Sequence, residues 1–417
     1  MFGALTTRDR GAVPGYTCWV TVAPPARVTA GTALGVSALL VVVHATNDAF
    51  AGMLSALLPT LQARFALTET ALALFVATLS FSSSVTQPVL GVLADRWGRR
   101  RMAALGVVTS SSLLSLMAVA PSPWLLFLIL LVGGLGSAAF HPAGTGIARS
   151  IGGSRKGLVM SVFSAGGTVG VAVGPLIIGW LLMTGNLSLS PLLMIPGVLG
   201  GLALVVFVPP QPRPHGERWP PLLDFSLLRG PVGVLAASGI LRAISFVTFL
   251  NAMPLYLVAR HGLTPDSPLL FWTLTLFSTS AAAGGIVAGA LERRLPRSLL
   301  ITTSMLASLV PFGVLFLLAP GTPLYFLSVA AAGALVNAGL PLMVVAAQDL
   351  APHAMGAASG LLMGFTWGTA GLLYVGIGAL QEAVGLGPAM GLAFLTLVPA
   401  ALLARRVIRH DEAPATR

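Results

Sequence analysis

Apolar runs of about 20 residues, the length that crosses a bilayer as a helix, recur from one end of this chain to the other. No other feature narrows the fold as far. The runs are continuous rather than alternating, so they read as helices and not as the strands of a barrel. Hydrophobic residues fill 56% of the 417 positions and charged residues only 8%, where a soluble domain carries roughly a quarter. A chain so poor in charge needs lipid as its solvent, and the expected fold class is an all-α membrane protein.

Spans are expected at 31–58, 68–94, 102–120, 123–148, 156–183, 188–209, 230–259, 267–291, 298–319, 322–349, 354–380 and 385–405. With the amino terminus inside, 20 of the 23 basic residues fall on the cytoplasmic side. Arg64 and Arg260 fall outside, and Arg242 lies within the seventh span. Positive charge marks the inner face, so the pattern predicts twelve spans with both termini cytoplasmic, in the inner (plasma) membrane of a bacterial cell.

Residues 1–30 read as a cytoplasmic tail without the apolar core of a cleavable signal, although a mis-assigned start codon stays open. The proline-rich stretch 210–229 reads as a linker between six-helix halves at 31–209 and 230–405, and 406–417 as a second cytoplasmic tail. The halves are weakly alike. Ala63-Arg64-Phe65-Ala66-Leu67-Thr68 returns as Ala259-Arg260-His261-Gly262-Leu263-Thr264, and Gly167-Thr168-Val169-Gly170 as Gly368-Thr369-Ala370-Gly371. Offsets near 196–201 residues suggest duplication.

The net charge of +11 does not mark a nucleic-acid binder, because the arginines sit singly or in small groups between apolar runs. The single cysteine, Cys18, allows neither an internal disulfide nor a thiol metal site. No G-x-x-x-x-G-K-[S/T] loop is present and no cofactor is expected, so energy must come from an ion gradient. Protons are the first choice and sodium stays open. The expected partners are that ion, a small-molecule substrate and the bilayer, with the chain itself a monomer.

Two motifs carry the assignment. After the second span the chain reads Gly91-Val92-Leu93-Ala94-Asp95-Arg96-Trp97-Gly98-Arg99-Arg100. Gly91 lets another helix approach, Asp95 can face a helix amino terminus or an arginine, Gly98 supplies a turn, and the arginines hold the loop at an anionic leaflet. In the fifth span, Gly170, Gly174, Pro175 and Gly179 fall in the pattern G-x-x-x-G-P-x-x-G-G, with Ile178 in place of one glycine. Such spacing serves close helix packing, and Pro175 offers a bend at a gate.

The first motif resembles in full the signature loop of the major facilitator superfamily, and the resemblance extends over all twelve spans. It implies two six-helix bundles, alternating access, and a switching role for Gly91, Asp95, Arg96, Gly98, Arg99 and Arg100. The glycine pattern resembles that of facilitator antiporters. A narrower resemblance, to the fosmidomycin-resistance exporters, lies in His44-Ala45-Thr46-Asn47-Asp48, Phe140-His141-Pro142, Gln348-Asp349-Leu350-Ala351-Pro352 and Ser359-Gly360-Leu361. It implies proton-driven export of a small toxic compound. Leu130 stands where other drug-exporter groups carry an arginine, so no relay through that arginine carries over.

Among the 12 acidic residues, Asp48 alone falls near the middle of a span. A carboxylate there costs about 2.5–3.5 kcal/mol on insertion scales and marks an ion path. Asp48 is therefore the expected proton carrier. His44, one turn earlier on the same face, is either its partner or a structural hydrogen bonder. Arg242 is read as an anion-attracting group or a counter-charge to Asp48. Asn47, Gln87, Asn251 and Asn337 are neutral candidates for the cavity wall, and His141, next to Pro142, is either a structural residue or a further cavity candidate. The histidines look too dispersed in sequence for a metal site. A symporter or importer of a small organic anion is the alternative function. An intramembrane enzyme lacks support, since the only lysine, Lys156, lies in a loop and no H-E-x-x-H occurs.

Overall fold

The computed structural model describes residues 30–153, 156–209 and 225–412. The stretch carrying Cys18 and most of the 210–229 linker lie outside the described residues. The first half comprises α1 (Ala30–Phe65), α2 (Glu69–Ser80), α3 (Gln87–Trp97), α4 (Arg99–Leu114), α5 (Pro123–Ile151), α6 (Lys156–Met183) and α7 (Met194–Phe207). The second comprises α8 (Pro231–His261), α9 (Pro268–Leu291), α10 (Arg297–Ala307), α11 (Leu309–Leu315), α12 (Pro323–Ala338), α13 (Leu340–Leu350), α14 (Met355–Gly360), α15 (Thr366–Val384), α16 (Leu386–Leu395) and α17 (Leu397–Glu412). There is no strand among the described residues.

Several helices begin on a hydroxyl followed by proline. Ser122 and Thr322 accept from the amides of Leu125 and Tyr325, ahead of Pro123 and Pro323. The hydroxyl satisfies one of the free amides of the first turn, and proline has no amide to satisfy. Exposed tryptophans lie near helix ends: Trp97, Trp124, Trp180 and Trp272. Tryptophans gather at such levels where a bilayer meets water.

Ten described helical segments are long and apolar enough to cross a membrane, and α2 with α3, bent by 41°, makes an eleventh. The span expected at 102–120 departs from the expectation. Its helix, α4, has 16 residues, about 24 Å of rise against roughly 30 Å of hydrocarbon. It starts on Arg99-Arg100-Arg101 and carries Thr109, Ser110, Ser111 and Ser112. The first span is longer than expected: α1 continues through Pro59, so Arg64 sits in its last turn and donates to the Ala118 carbonyl at 2.9 Å.

Among the described residues each half contains one π turn, at Phe81–Val85 and at Leu361–Phe365. The halves meet along α1 with α8, α2 with α15 and α6 with α9. Bonds bridging them sit toward the end carrying Arg64 and Arg260. Ser55 Oγ donates to Asn251 Oδ1 at 2.9 Å, Thr275 Oγ1 to the Ala172 carbonyl at 2.8 Å, and the Thr70 amide to Glu382 Oε1 at 2.8 Å.

Within the first half, α1 and α6 pack backbone to backbone. A Cβ on Gly166 would lie 2.7 Å from the Val41 carbonyl, and on Gly170 and Gly174 it would overlap the carbonyls of Ala45 and Ala49. Three glycines four residues apart thus face three carbonyls four residues apart, and only hydrogen fits between. The helix runs unbroken through Pro175. Gly179 lies beyond this ladder and accommodates the Phe271 ring of the other half. The fifth-span motif is here a packing seam, with Gly179 alone on the interface.

Candidate functional site

Asp48 is gripped from both sides. One oxygen, Oδ2, lies 3.1 Å from His44 Nε2 on the preceding turn of α1, and the other, Oδ1, lies 3.1 Å from His141 Nε2 on α5. Asn47 Nδ2 donates to Oδ1 at 2.9 Å and to Ser137 Oγ at 2.8 Å. His44 stacks on Phe163 at 4.2 Å and meets His141 edge-on at 5.1 Å. Gly167 of α6 covers the pair: a Cβ there would stand 2.5 Å from both Asp48 Oδ2 and His44 Nε2. His141 and Asp48 retain 23% and 19% side-chain exposure, so water can reach the group.

The second nitrogen of each ring decides the proton count. His44 Nδ1 lies 2.7 Å from the Phe163 carbonyl and His141 Nδ1 lies 2.8 Å from the Ser137 carbonyl. A carbonyl can only accept, so both Nδ1 atoms carry hydrogen. In the neutral rings both Nε2 atoms would then present lone pairs to a carboxylate. Each close Nε2–Oδ approach is favourable only with a proton in the gap, supplied by an imidazolium or by a protonated Asp48. Two protons fill the two gaps and leave the trio at net +1. Removing one sets a lone pair against a lone pair, which is how such a group can bind and release a proton.

Arg242 lies in the other half, fully buried on α8. Nη1 donates to Asn337 Oδ1 at 2.9 Å, and the guanidinium carbon sits 5.3 Å from the centre of the Trp367 ring. Nε and Nη2 have no hydrogen-bond partner. The expected pairing of Arg242 with Asp48 is absent, because Asp48 pairs with the two histidines and Arg242 with Asn337. Asn251 does not hold Asp48 either: its amide nitrogen donates to the Val247 carbonyl and its oxygen takes Ser55. Gln87 donates to the Ser83 carbonyl at 2.8 Å.

In the loop, Asp95 accepts from Arg99 Nε at 2.8 Å across Gly98, whose φ of 102° is open to glycine and strained for other residues. Gly91 faces Pro142, 3.2 Å from where its Cβ would be. Arg100 donates to the Val208 carbonyl at 3.1 Å, tying the loop to the end of α7. Arg96 and Trp97 are exposed. The second half repeats the arrangement in altered form. Gly285 faces Pro341 at 3.2 Å, and Arg297 pairs with Glu292 and, at 2.6 Å, with Asp349.

The model of the Major Facilitator Superfamily matches residues 40–375. The chain belongs to that superfamily. This transporter is 28% identical over 353 residues to the fosmidomycin resistance protein of Escherichia coli (strain K12), covering 82% of this chain and 85% of that one. It is 29% identical over 383 residues to the uncharacterised transporter YfnC of Bacillus subtilis (strain 168), covering 85% and 88%. Its fold matches a bacterial homologue of the lysosomal transporter Spinster, in an inward-facing and unoccupied conformation, with a TM-score of 0.71 at 17% identity over 93% of this chain and 100% of that one. The transporter therefore sits in a bilayer and handles small molecules.

Three residues of the transporter's site escaped sequence reasoning: Ser137 and Phe163, whose carbonyls orient the imidazoles, and Trp367 over the guanidinium. No local pattern marks them, since Phe163 and Ser137 orient the rings through backbone carbonyls that every residue has, and the Ser137 hydroxyl takes Asn47 from 90 residues away in sequence. His141 is visible in sequence as a cavity candidate and within a segment of the family resemblance, but not as a partner of Asp48. The histidines judged dispersed in sequence are brought together with Asp48, their ligating atoms all within 4.8 Å.

Proposed function

We propose that this transporter is a proton-coupled antiporter that exports a small anionic compound by alternating access. The observation behind the choice of an anion is Arg242. It is a buried cation whose Nε and Nη2 lack partners, and those two N–H groups form one edge of the guanidinium, the edge that a carboxylate or phosphonate engages with two parallel bonds. Leaving such donors bare costs free energy that an anionic ligand recovers. The trio of His44, Asp48 and His141 supplies the exchangeable proton, and the relatives' resistance role favours the outward direction. On this reading the protein is a monomer in the inner membrane with twelve crossings, α4 being the short one.

Everted vesicles test the function. Substrate added to vesicles holding a proton gradient should release protons from the lumen in step with uptake. Efflux of preloaded substrate together with protons, down the proton gradient, would instead establish the symporter alternative. In the same assay Asp95→Asn should slow turnover while leaving equilibrium substrate affinity within a few-fold, because the loop governs switching; lost affinity in a folded variant would place Asp95 at the substrate. Orientation is read separately. In a Cys18→Ser background, a cysteine beside Arg260 should react with an impermeant reagent from outside and one beside Arg218 should not. The reverse labelling would overturn the assigned topology.

A further inference from the structure

We infer that His44, Asp48 and His141 form a three-ligand site for a divalent transition-metal ion of the zinc class. The inference stands on geometry independent of the transport reading. His44 and Asp48 are four residues apart on α1, so they share a face, and His141 arrives from α5 to close the set. The three donors, two imidazole nitrogens and a carboxylate oxygen, suit zinc, cobalt or nickel. Three protein ligands with an open fourth position are the arrangement of a metal that keeps a water.

Spacing supports this. Four-coordinate zinc binds nitrogen and oxygen at about 2.0–2.1 Å, which sets neighbouring ligand atoms about 3.3 Å apart in a tetrahedron. Each Nε2 lies 3.1 Å from its own carboxylate oxygen, His44 from Oδ2 and His141 from Oδ1, and with one ligand atom taken from each residue all three fall within 4.8 Å of one another. The orientation of the rings is the second support. A metal-ligating histidine characteristically gives its other N–H to a carbonyl or carboxylate, which holds the tautomer and the ring plane. Both rings already do so, His44 to the Phe163 carbonyl and His141 to the Ser137 carbonyl. Each Nε2 is thereby left as the atom that can bind. Asn47 adds a third: its Oδ1 is buried without a donor while its Nδ2 touches Asp48, so an unused acceptor borders the site where a metal-bound water would need one.

Charge balance makes the ion a substitute rather than an addition. A divalent cation on two neutral imidazoles and one carboxylate leaves the trio at +1, as the two gap protons do. Metal and protons therefore exclude one another without changing the net charge of the trio. If the coupling reading above holds, an occupied site stops coupled transport.

Cobalt is the probe, because four-coordinate cobalt absorbs visible light far more strongly than the hexaaquo ion. Full-length protein carrying a histidine-free affinity tag is titrated with cobalt chloride in detergent. The expected result is an intense visible band saturating at one equivalent and displaced by zinc. His141→Ala and His44→Ala should each weaken cobalt binding by more than about tenfold, and Asp48→Asn likewise. An unchanged aqueous spectrum with wild-type protein overturns the site, as does a band that survives His141→Ala. The wild-type titration decides even if a variant fails to fold. The transport reading fails separately: absent proton exchange in vesicles says nothing against cobalt binding, and absent cobalt binding leaves proton exchange intact.

Discussion

Asp48→Asn is expected to reduce gradient-driven export to background while substrate still binds. The asparagine is nearly isosteric, and it can donate from Nδ2 to one imidazole and accept at Oδ1 from the other. The trio therefore keeps its shape, with a fixed amide hydrogen in one gap in place of an exchangeable proton, and what disappears is the carboxylate that takes up and gives back protons. A ligand whose binding is linked to one protonation state must show pH-dependent affinity, so that dependence should flatten in the variant. Downhill exchange of substrate for substrate, which needs no net proton movement, should persist. The contrary account makes Asp48 a packing residue that tethers α1 to α5. It predicts that Asp48→Asn still drives uphill export in sealed vesicles, and that observation would end the coupling role. His141→Gln offers a graded control, since it leaves Asp48 and His44 in place and removes one gap.

The second large effect is at Arg242. Truncation to alanine removes both unused donors and the charge, and affinity for an anionic substrate should fall by about 2–5 kcal/mol, roughly 30-fold or more. Arg242→Lys should retain part of the affinity, because the charge survives while the planar two-bond edge is lost. Stability should move the other way. A fully buried guanidinium with two bare N–H groups is costly in the ligand-free protein, and an apolar replacement of similar length avoids that cost. Arg242→Met is thus expected to raise the melting temperature of the empty transporter while lowering affinity. Unaltered transport in Arg242→Ala would show that the site lies elsewhere, and a destabilised Arg242→Met would show the cation to be structural.

Much of the molecule was legible because membrane folds write themselves in long apolar stretches and in charged turns. The loop from Gly91 to Arg100, the family, and the single mid-span carboxylate all came from local patterns. The i, i+4 relation of His44 and Asp48 follows from helix geometry alone. What could not be read is the relation between helices. His141 is 93 residues from Asp48, and no periodicity says that α5 turns that ring toward α1. The same limit explains Arg242, whose depth suggested Asp48 as a partner although its neighbour is Asn337 of α12. The fifth-span glycines were open between packing and gating, and only the carbonyls of Ala45 and Ala49 opposite Gly170 and Gly174 separate the two. Gly167 was noted for its repeat and not for the site it covers, because a glycine's role depends on what stands across from it.

The bend between α2 and α3 makes the loop-bearing part of that span a lever. Its fulcrum combines a π turn at Phe81–Val85 with a proline, Pro88, at the start of α3. Both features depart from regular helical bonding, so bending stiffness is lowest there. Short of the fulcrum the rod is held by the opposite half, with Gly378 against Ala73 and Gly371 against Ser80; beyond it, Gly91 rests on Pro142 of its own half. Asp95 lies eight residues past Gln87, an arm of about 12 Å. A change of about 10° in the joint would therefore carry its carboxylate by about 2 Å. Arg99, meanwhile, lies along the backbone of Gly146 on α5. A displacement of that size is comparable to the 2.8 Å length of the Asp95–Arg99 contact, so modest flexing at the fulcrum suffices to make or break the ion pair at the tip.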